Sequence, residues 1–457
     1  MNIENREREG QERERERERV LLILLSVFIF TSMRLYQNFC TTLYLNFDIA
    51  QAIKHAHPLK FQCPMMAVFV SGICALGGQQ LDSNSDLTAI LHSTSESDIH
   101  PIIEHHKRAI DHYRQHRRRL AIQSWLEVLA HNPADLLALK FLTTACFFIG
   151  DADTMVEVCQ SSVEYIPSSD RHHVWAMLAF ALVEKGDATT AEKYASRALN
   201  RCCHSPWSVH ALCHVYLEQG RITEGLELLT GNDQQWRHHE DLSCHIYWHW
   251  AIFSLYYDNF TEALAIYDQE VFPRVLKSAG FPMDVSDAVS LLIRFDMVDV
   301  NMGARWTALK EAIGHEIPHF LTYPFTASHF FILSYRICAQ STVENLPTAL
   351  DQEPSNILTL FYSGLQAYMH RNFEAAFDNL FAVLSRLRCV GGSNAQRDVF
   401  VLICIDAAMK FQNKLRASAS SRLRHDPHLD YLIIPPSSSS IEVGAFRYKL
   451  SQDLSEE

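Results

Sequence analysis

Glycine and proline are scarce, 16 and 15 in 457 residues. So few turn-formers exclude a fold of many short strands and point to helices. Positive charge is also in deficit: 40 Lys and Arg against 53 Asp and Glu leave a net charge of -13, which argues against a nucleic-acid binder held by overall charge. The twelve cysteines contain no C-x-x-C and one adjacent pair, Cys202-Cys203, so neither a zinc ribbon nor a spaced disulfide framework is indicated. They read as small buried hydrophobes in a reducing compartment. Glycine-rich nucleotide loops and a G-x-S-x-G elbow are missing. What is present is apolar side chain, 48% of the total with 11% aromatic, enough for large cores and too much for wholesale disorder.

The two ends differ from the body. Glu12 to Arg19 alternates Glu and Arg, and the uncharged stretch Val20 to Met33 follows, 14 residues long. That is short of the roughly 20 residues a spanning helix needs. The leading charges are half acidic, unlike a basic signal region. A repeating GA tract read in one frame encodes Glu-Arg without end, so residues 1–45 are expected to be a gene-model extension. The alternative is a membrane anchor over residues 20–33, and the expected location is otherwise cytoplasmic. Pro435-Pro436 and Ser437 to Ser440 open a low-complexity linker and tail over 435–457.

Between the ends lies a helical repeat domain, 46–434. Ala109 and Ala121, Ala179 and Ala191, Ala251 and Ala263, and Gly364 and Ala376 are each twelve positions apart, with a turn signature between them. Two antiparallel helices need small side chains where their axes approach, and that spacing meets the need. The pattern matches the 34-residue tetratricopeptide unit. Trp175, Leu178, Ala179, Leu182, Gly186, Ala191, Ala195 and Ala198 fall in register. Units are expected near 102, 136, 172, 206, 244 and 357, with residues 280–350 helical but out of register. The fold class is therefore an all-α solenoid of tetratricopeptide-like helical hairpins with an irregular C-terminal helical segment.

Several stretches go further. Asp135 to Phe141, Trp207-Ser208-Val209-His210 with His214, Cys244 to Ala251, Ala265 to Asp268 and Gly391 to Phe400 together resemble the tetratricopeptide repeat protein 38 family over about residues 50–435. The resemblance implies an all-helical repeat protein and no settled activity. The chain departs from the family pattern at Leu142-Thr143-Thr144, at Thr326-Ala327-Ser328 before His329, and at Leu217, with Glu218 one place along. Each departure removes a polar group that a chemical site would use.

Histidine is abundant, 24 in all. In ligand-binding repeats of this type the first helix of each unit lines the concave face. His106, His173, His210, His214, His245 and His249 fall at such positions, and with Trp248 and His329 they form the expected lining of a partner groove. Histidines at i and i+4 share one helix face, and units four and five are neighbours, so His210, His214, His245 and His249 can converge. Glu218 would extend the first pair. Two chemistries fit: a single transition metal ion on neutral imidazoles, or acid-base work by groups titrating near pH 6.5. The third possibility is a polar, hydrogen-bonded lining for a peptide.

Gly391-Gly392-Ser393 reads as a tight turn into a helix capped by Ser393. Asn394, Gln396, Arg397 and Asp398 then form its first turn, as a structural cap or as an anion site. Asp287, Arg294 and Arg305-Trp306 are expected to help close the solenoid. The basic residues Lys107, Arg108, Arg114, Arg117, Arg118 and Arg119 are expected to be solvated. The leading function is an interaction scaffold for a protein or peptide, with no cofactor and no nucleic acid. The rival is a metal-dependent or histidine-based enzyme in the groove, toward which the missing catalytic motifs do not lean.

Overall fold

The computed structural model describes residues 40–41, 43–46, 49–59, 64–77, 101–278, 280–313, 323–337 and 355–419. The Glu/Arg run, the Val20 to Met33 stretch and the 435–457 tail lie outside them. Among the described residues every regular element is helical. None of these helices is long and apolar enough to cross a membrane.

Two helices, α1 (Ile49–Ala56) and α2 (Pro64–Gly77), precede the repeats. Five hairpins follow: α3 (Pro101–Arg114) with α4 (Arg118–His131), α5 (Leu136–Ile149) with α6 (Ala152–Ser162), and α7 (Arg171–Lys185) with α8 (Ala188–Arg201). The fourth is α9 (Pro206–Glu218) with α10 (Ile222–Trp236), and the fifth α11 (Glu240–Tyr256) with α12 (Phe260–Ile266) and its continuation α13 (Phe272–Lys277). Next come α14 (Pro282–Met297), α15 (Gly303–Ile313) and α16 (Pro324–Ile337). The last hairpin is α17 (Ser355–Met369) with α18 (Phe373–Phe381). A 3-10 segment, Leu384–Val390, then leads into the long α19 (Asn394–Ala419).

The spaced small residues do what their spacing requires. Ala109, Ala121, Ala179, Ala191, Ala251, Ala263 and Ala376 are all fully buried. A methyl group on Gly364 would sit 2.6 Å from Leu380 Cγ, so the last hairpin closes only on glycine. Each hairpin turns through one left-handed residue: His116, Gly150, Gly186, Gly220, Asp258 and Arg371 all have positive φ. The first five recur at intervals of 34, 36, 34 and 38 residues, the ruler read from the sequence. The next residue is often a cap, with Asp151, Asp187, Asn259 and Asn372 accepting from the backbone N–H three positions on.

Two boundaries move. Asp299 is also left-handed, with φ 60°, and turns α14 into α15. The interval expected to be out of register therefore contains a hairpin of the same kind, set 41 residues after the Asp258 turn. At the other end, Cys40 and Tyr44 are buried in the core, and the Tyr44 ring packs 5.7 Å from Phe141 and 5.9 Å from Phe69. Packing thus begins before the expected boundary at 46. Of the basic residues around unit one, Lys107 and Arg118 are buried rather than solvated, Arg118 lying 4.8 Å over the Tyr323 ring.

The irregular C-terminal segment decides the interior. α19 bonds to α7 through Glu184, to α11 through Tyr256, and to α14 through Asp287 and Arg294. Tyr368 on α17 donates to Asp406 of α19. All four partners are first helices of their hairpins, so α19 lies along the inner face of the solenoid. The turn before it is held as tightly. A Cβ on Gly391 would meet Phe148 O at 2.9 Å, and one on Gly392 the Phe325 ring at 2.7 Å.

Candidate metal centre

α9 stands where the two large apolar clusters of the molecule meet, contributing Ala211, Leu212 and Val215 to one and Val209 and Cys213 to the other. Ser205 caps it and Pro206 opens it, which fixes the phase of the helix. That phase points His210 and His214 at α11, which returns His245 and His249. All four rings meet. Their centroids are 4.5 Å (His210–His214), 4.9 Å (His210–His245), 5.3 Å (His210–His249), 6.3 Å (His214–His245), 4.6 Å (His214–His249) and 4.7 Å (His245–His249) apart.

One nitrogen from each ring can be chosen so that all four lie within 4.8 Å of one another. Nitrogen ligands at 2.0–2.1 Å around a tetrahedral zinc ion are roughly 3.3 Å apart, so a small inward adjustment suffices. His210 and His214 already face each other, Nε2 to Nε2, at 2.9 Å. Both nitrogens of fully buried His249, and Nδ1 of His210, have no hydrogen-bond partner. An unmade hydrogen bond on a buried nitrogen costs on the order of 1–3 kcal/mol, so an ion that accepted these lone pairs would remove a real penalty.

Three of the rings are held neutral: burial, first of all, keeps His210, His214 and His249 well below the ordinary histidine pKa, and neighbouring imidazoles add to it. Aromatic walls supply the dry surroundings: Trp207 stacks on His210 at 4.6 Å, Trp248 on His245 at 5.1 Å, and Phe180 meets His214 edge-on at 5.0 Å. Two carboxylates back the rings. Asp287 Oδ2 lies 2.7 Å from His245 Nδ1, and Glu184 Oε1 lies 3.7 Å from His214 Nδ1. Burial pushes the Glu184 carboxyl up to about 7, against the pull of Arg397 and the Asn394 amide. Asp284, beside Asp287, is likewise pushed up to about 7 by burial.

The remaining expected residues sort differently. His106, His173, His210, His214, Trp248, His249 and His329 are all buried, and His245 is only slightly open, its side chain 15% exposed. They do not line an open groove, because α19 and its turn cover the inner face. His106 faces Asp135 at 3.6 Å, and the His173 ring lies tilted against that of His172 at 3.9 Å. His329 pairs through Nδ1 with Phe325 O at 2.8 Å and packs on Phe400. Glu218 is exposed and does not extend the His210 pair. Glu184 stands in its place. Its signal in the sequence is faint, an acidic residue ending an otherwise apolar helix.

The Gly391-Gly392-Ser393 turn is a structural cap. Ser393 Oγ accepts from the Gln396 amide at 3.1 Å, and Gln396 Oε1 accepts from the Ser393 amide at 3.1 Å. The acceptor at this helix end is the chain's own Glu184, which takes the Asn394 amide at 2.8 Å. Arg397 serves Glu184 and the carbonyls of Gly391 and Gly392. Asp398 accepts from Tyr256 at 2.6 Å and from Arg294 at 3.4 Å. Arg305 takes no part in this closure, pairing with Asp268 at the surface. One further spelling, His315-Glu316-Ile317-Pro318-His319, fits H-E-x-x-H, but Pro318 opposes the continuous helix that motif needs. It lies outside the described residues.

No protein-family model matches the chain.

Proposed function

We propose that the chain is a member of the tetratricopeptide repeat protein 38 family whose repeats hold one divalent transition metal ion between units four and five. The family reading is supported by the stretches around His210, Cys244 and Gly391, which also build the buried polar interior. One observation carries the metal reading. Four imidazoles from two adjacent helices, three of them buried, bring a ligand atom each to within 4.8 Å, and the nitrogens of His249 have no other partner. Imidazole donors suit zinc, copper, nickel and iron, and disfavour calcium or magnesium, which seek oxygen.

The peptide-groove reading has less support, since α19 occupies the inner face over units three to five. A protein-binding role would use other surfaces. A cytoplasmic location fits cysteines of which eight of the ten described are buried as free thiols.

The test is metal content by plasma mass spectrometry on the full chain, purified without a histidine tag or chelator. The His210→Ala/His249→Ala double variant is measured beside it. About one transition metal per chain, lost in the variant while the helical spectrum survives, is the expected result. No metal in the unmodified chain, even after incubation with zinc, copper, nickel or ferrous ion, would refute the reading.

A further inference from the structure

Glu184 and Asp287 face two ways. Asp287 faces His245 Nδ1 with Oδ2 at 2.7 Å and accepts on Oδ1 from the Gln396 side-chain amide at 3.2 Å. Glu184 Oε1 lies 3.7 Å from His214 Nδ1, while the Asn394 amide donates to Oε1 and Oε2 at 3.1 and 2.8 Å and Arg397 reaches Oε2 at 3.5 Å. One carboxylate comes from α7 and the other from α14. Between them they link one histidine of each ligand pair to the first turn of α19, a helix some 180 residues downstream of the α9 histidines in the chain.

Resting on the metal reading, we propose that Glu184 and Asp287 are positioning residues of the centre, and that through them ion binding and docking of α19 form one linked equilibrium. The chemistry runs through the imidazole tautomers. With an ion on Nε2, a histidine carries its remaining proton on Nδ1, where it donates to the carboxylate behind it. In the present arrangement one of the two facing Nε2 atoms of His210 and His214 holds a proton. Ion binding takes that proton away from the interface. His214 is then left with Nδ1–H toward Glu184, the distance that is still 3.7 Å, and His245 with Nδ1–H on Asp287. Both carboxylates are thereby fixed in the orientation that holds Asn394, Gln396 and Arg397. By linkage, loosening α19 must weaken the ion by the same factor.

The experiment is amide hydrogen exchange on the full chain, with and without saturating zinc, together with zinc affinity by calorimetry. The variants are Glu184→Gln, Asp287→Asn and Gln396→Ala. Zinc is expected to slow exchange over residues 394–404 of the unmodified chain at least tenfold. Glu184→Gln and Asp287→Asn are expected to bind one zinc with roughly 10- to 100-fold lower affinity. Gln396→Ala touches no histidine, yet is expected to lose several-fold in affinity. One zinc bound with unchanged exchange over 394–404, or wild-type affinity in all three variants, would overturn the coupling while leaving the metal reading intact. No zinc on the unmodified chain would overturn both.

Discussion

His106 and His210 occupy the fifth position of their repeats, and His173 and His245 the second. Register alone makes each pair equivalent. Their surroundings do not: His106 meets the Asp135 cap of the next hairpin, and His173 meets the adjacent His172. His210 and His245 meet each other and two more imidazoles. The difference comes from the neighbouring first helix. α11 carries two histidines on the face turned to α9, whereas α5 turns Phe141 toward His106. A repeat thus fixes where a side chain points, and the next repeat decides what it can do there.

Substitution breaks the comparison most sharply. His249→Ala should abolish tight metal binding, by about 100-fold or more in affinity, with the helical spectrum retained. His106→Ala should leave metal content unchanged and lower the melting temperature instead, since it empties a fully buried site in the N-terminal half. Calorimetry and metal analysis on both variants separate the two roles. A fall in metal content for His106→Ala would erase the distinction.

The α19 turn offers the next effect. Gly392 has φ +78°, and a Cβ there would lie 2.7 Å from the Phe325 ring. Gly392→Ala should therefore cost roughly 1–3 kcal/mol, read as a shift in the urea midpoint. Gly186→Ala, with φ +98° and nothing near its Cβ, carries only the backbone term and should cost less.

Acid sharpens the comparison from another side. Burial first of all lowers His173 to about 3 and His329 to about 4 from an ordinary 6.5. The unfolded chain takes up these protons near pH 6.5 and the folded chain does not. Stability from both groups is therefore complete above pH 6.5 and is lost as pH falls from 6.5 toward 4 and then 3. Neither residue belongs to the four-histidine cluster, so saturating zinc should not cancel this loss. His329→Gln should flatten the curve of urea midpoint against pH between 6.5 and 4. An unchanged slope would contradict the assignment.

The smallest effect lies at the outer turns. Asp187→Ala removes a side chain that accepts from the Thr190 amide at 3.0 Å, and should cost about 1 kcal/mol in thermal or urea unfolding. Arg117 makes no side-chain cap at the equivalent place. Arg117→Ala should be close to neutral.

Much of the architecture was legible because it is local. The small-residue pairs and the turn residues lie within one hairpin, so Ala179, Gly186 and Ala191 announce their helices without reference to anything distant. The hairpin over 282–313 was less visible, because its turn at Asp299 comes 41 residues after the Asp258 turn, longer than the intervals of 34 to 38 before it. The pairing of His210 and His214 with His245 and His249 follows from helix spacing and neighbouring units. Their burial does not. The aromatic walls come from three different helices, and the carboxylates behind the rings are held by α19, which approaches from far along the chain; no periodicity in α9 or α11 records its arrival. Glu184 was missed for the same reason, since only the α19 turn gives a carboxylate at the end of α7 its partners.

The most direct measurement is zinc K-edge X-ray absorption on the full chain loaded with one equivalent of the ion. Four nitrogen neighbours at about 2.0 Å, with the outer scattering of imidazole rings, are what the centre requires. A shell of sulfur near 2.3 Å, or of oxygen alone, would contradict it and place the bound ion elsewhere.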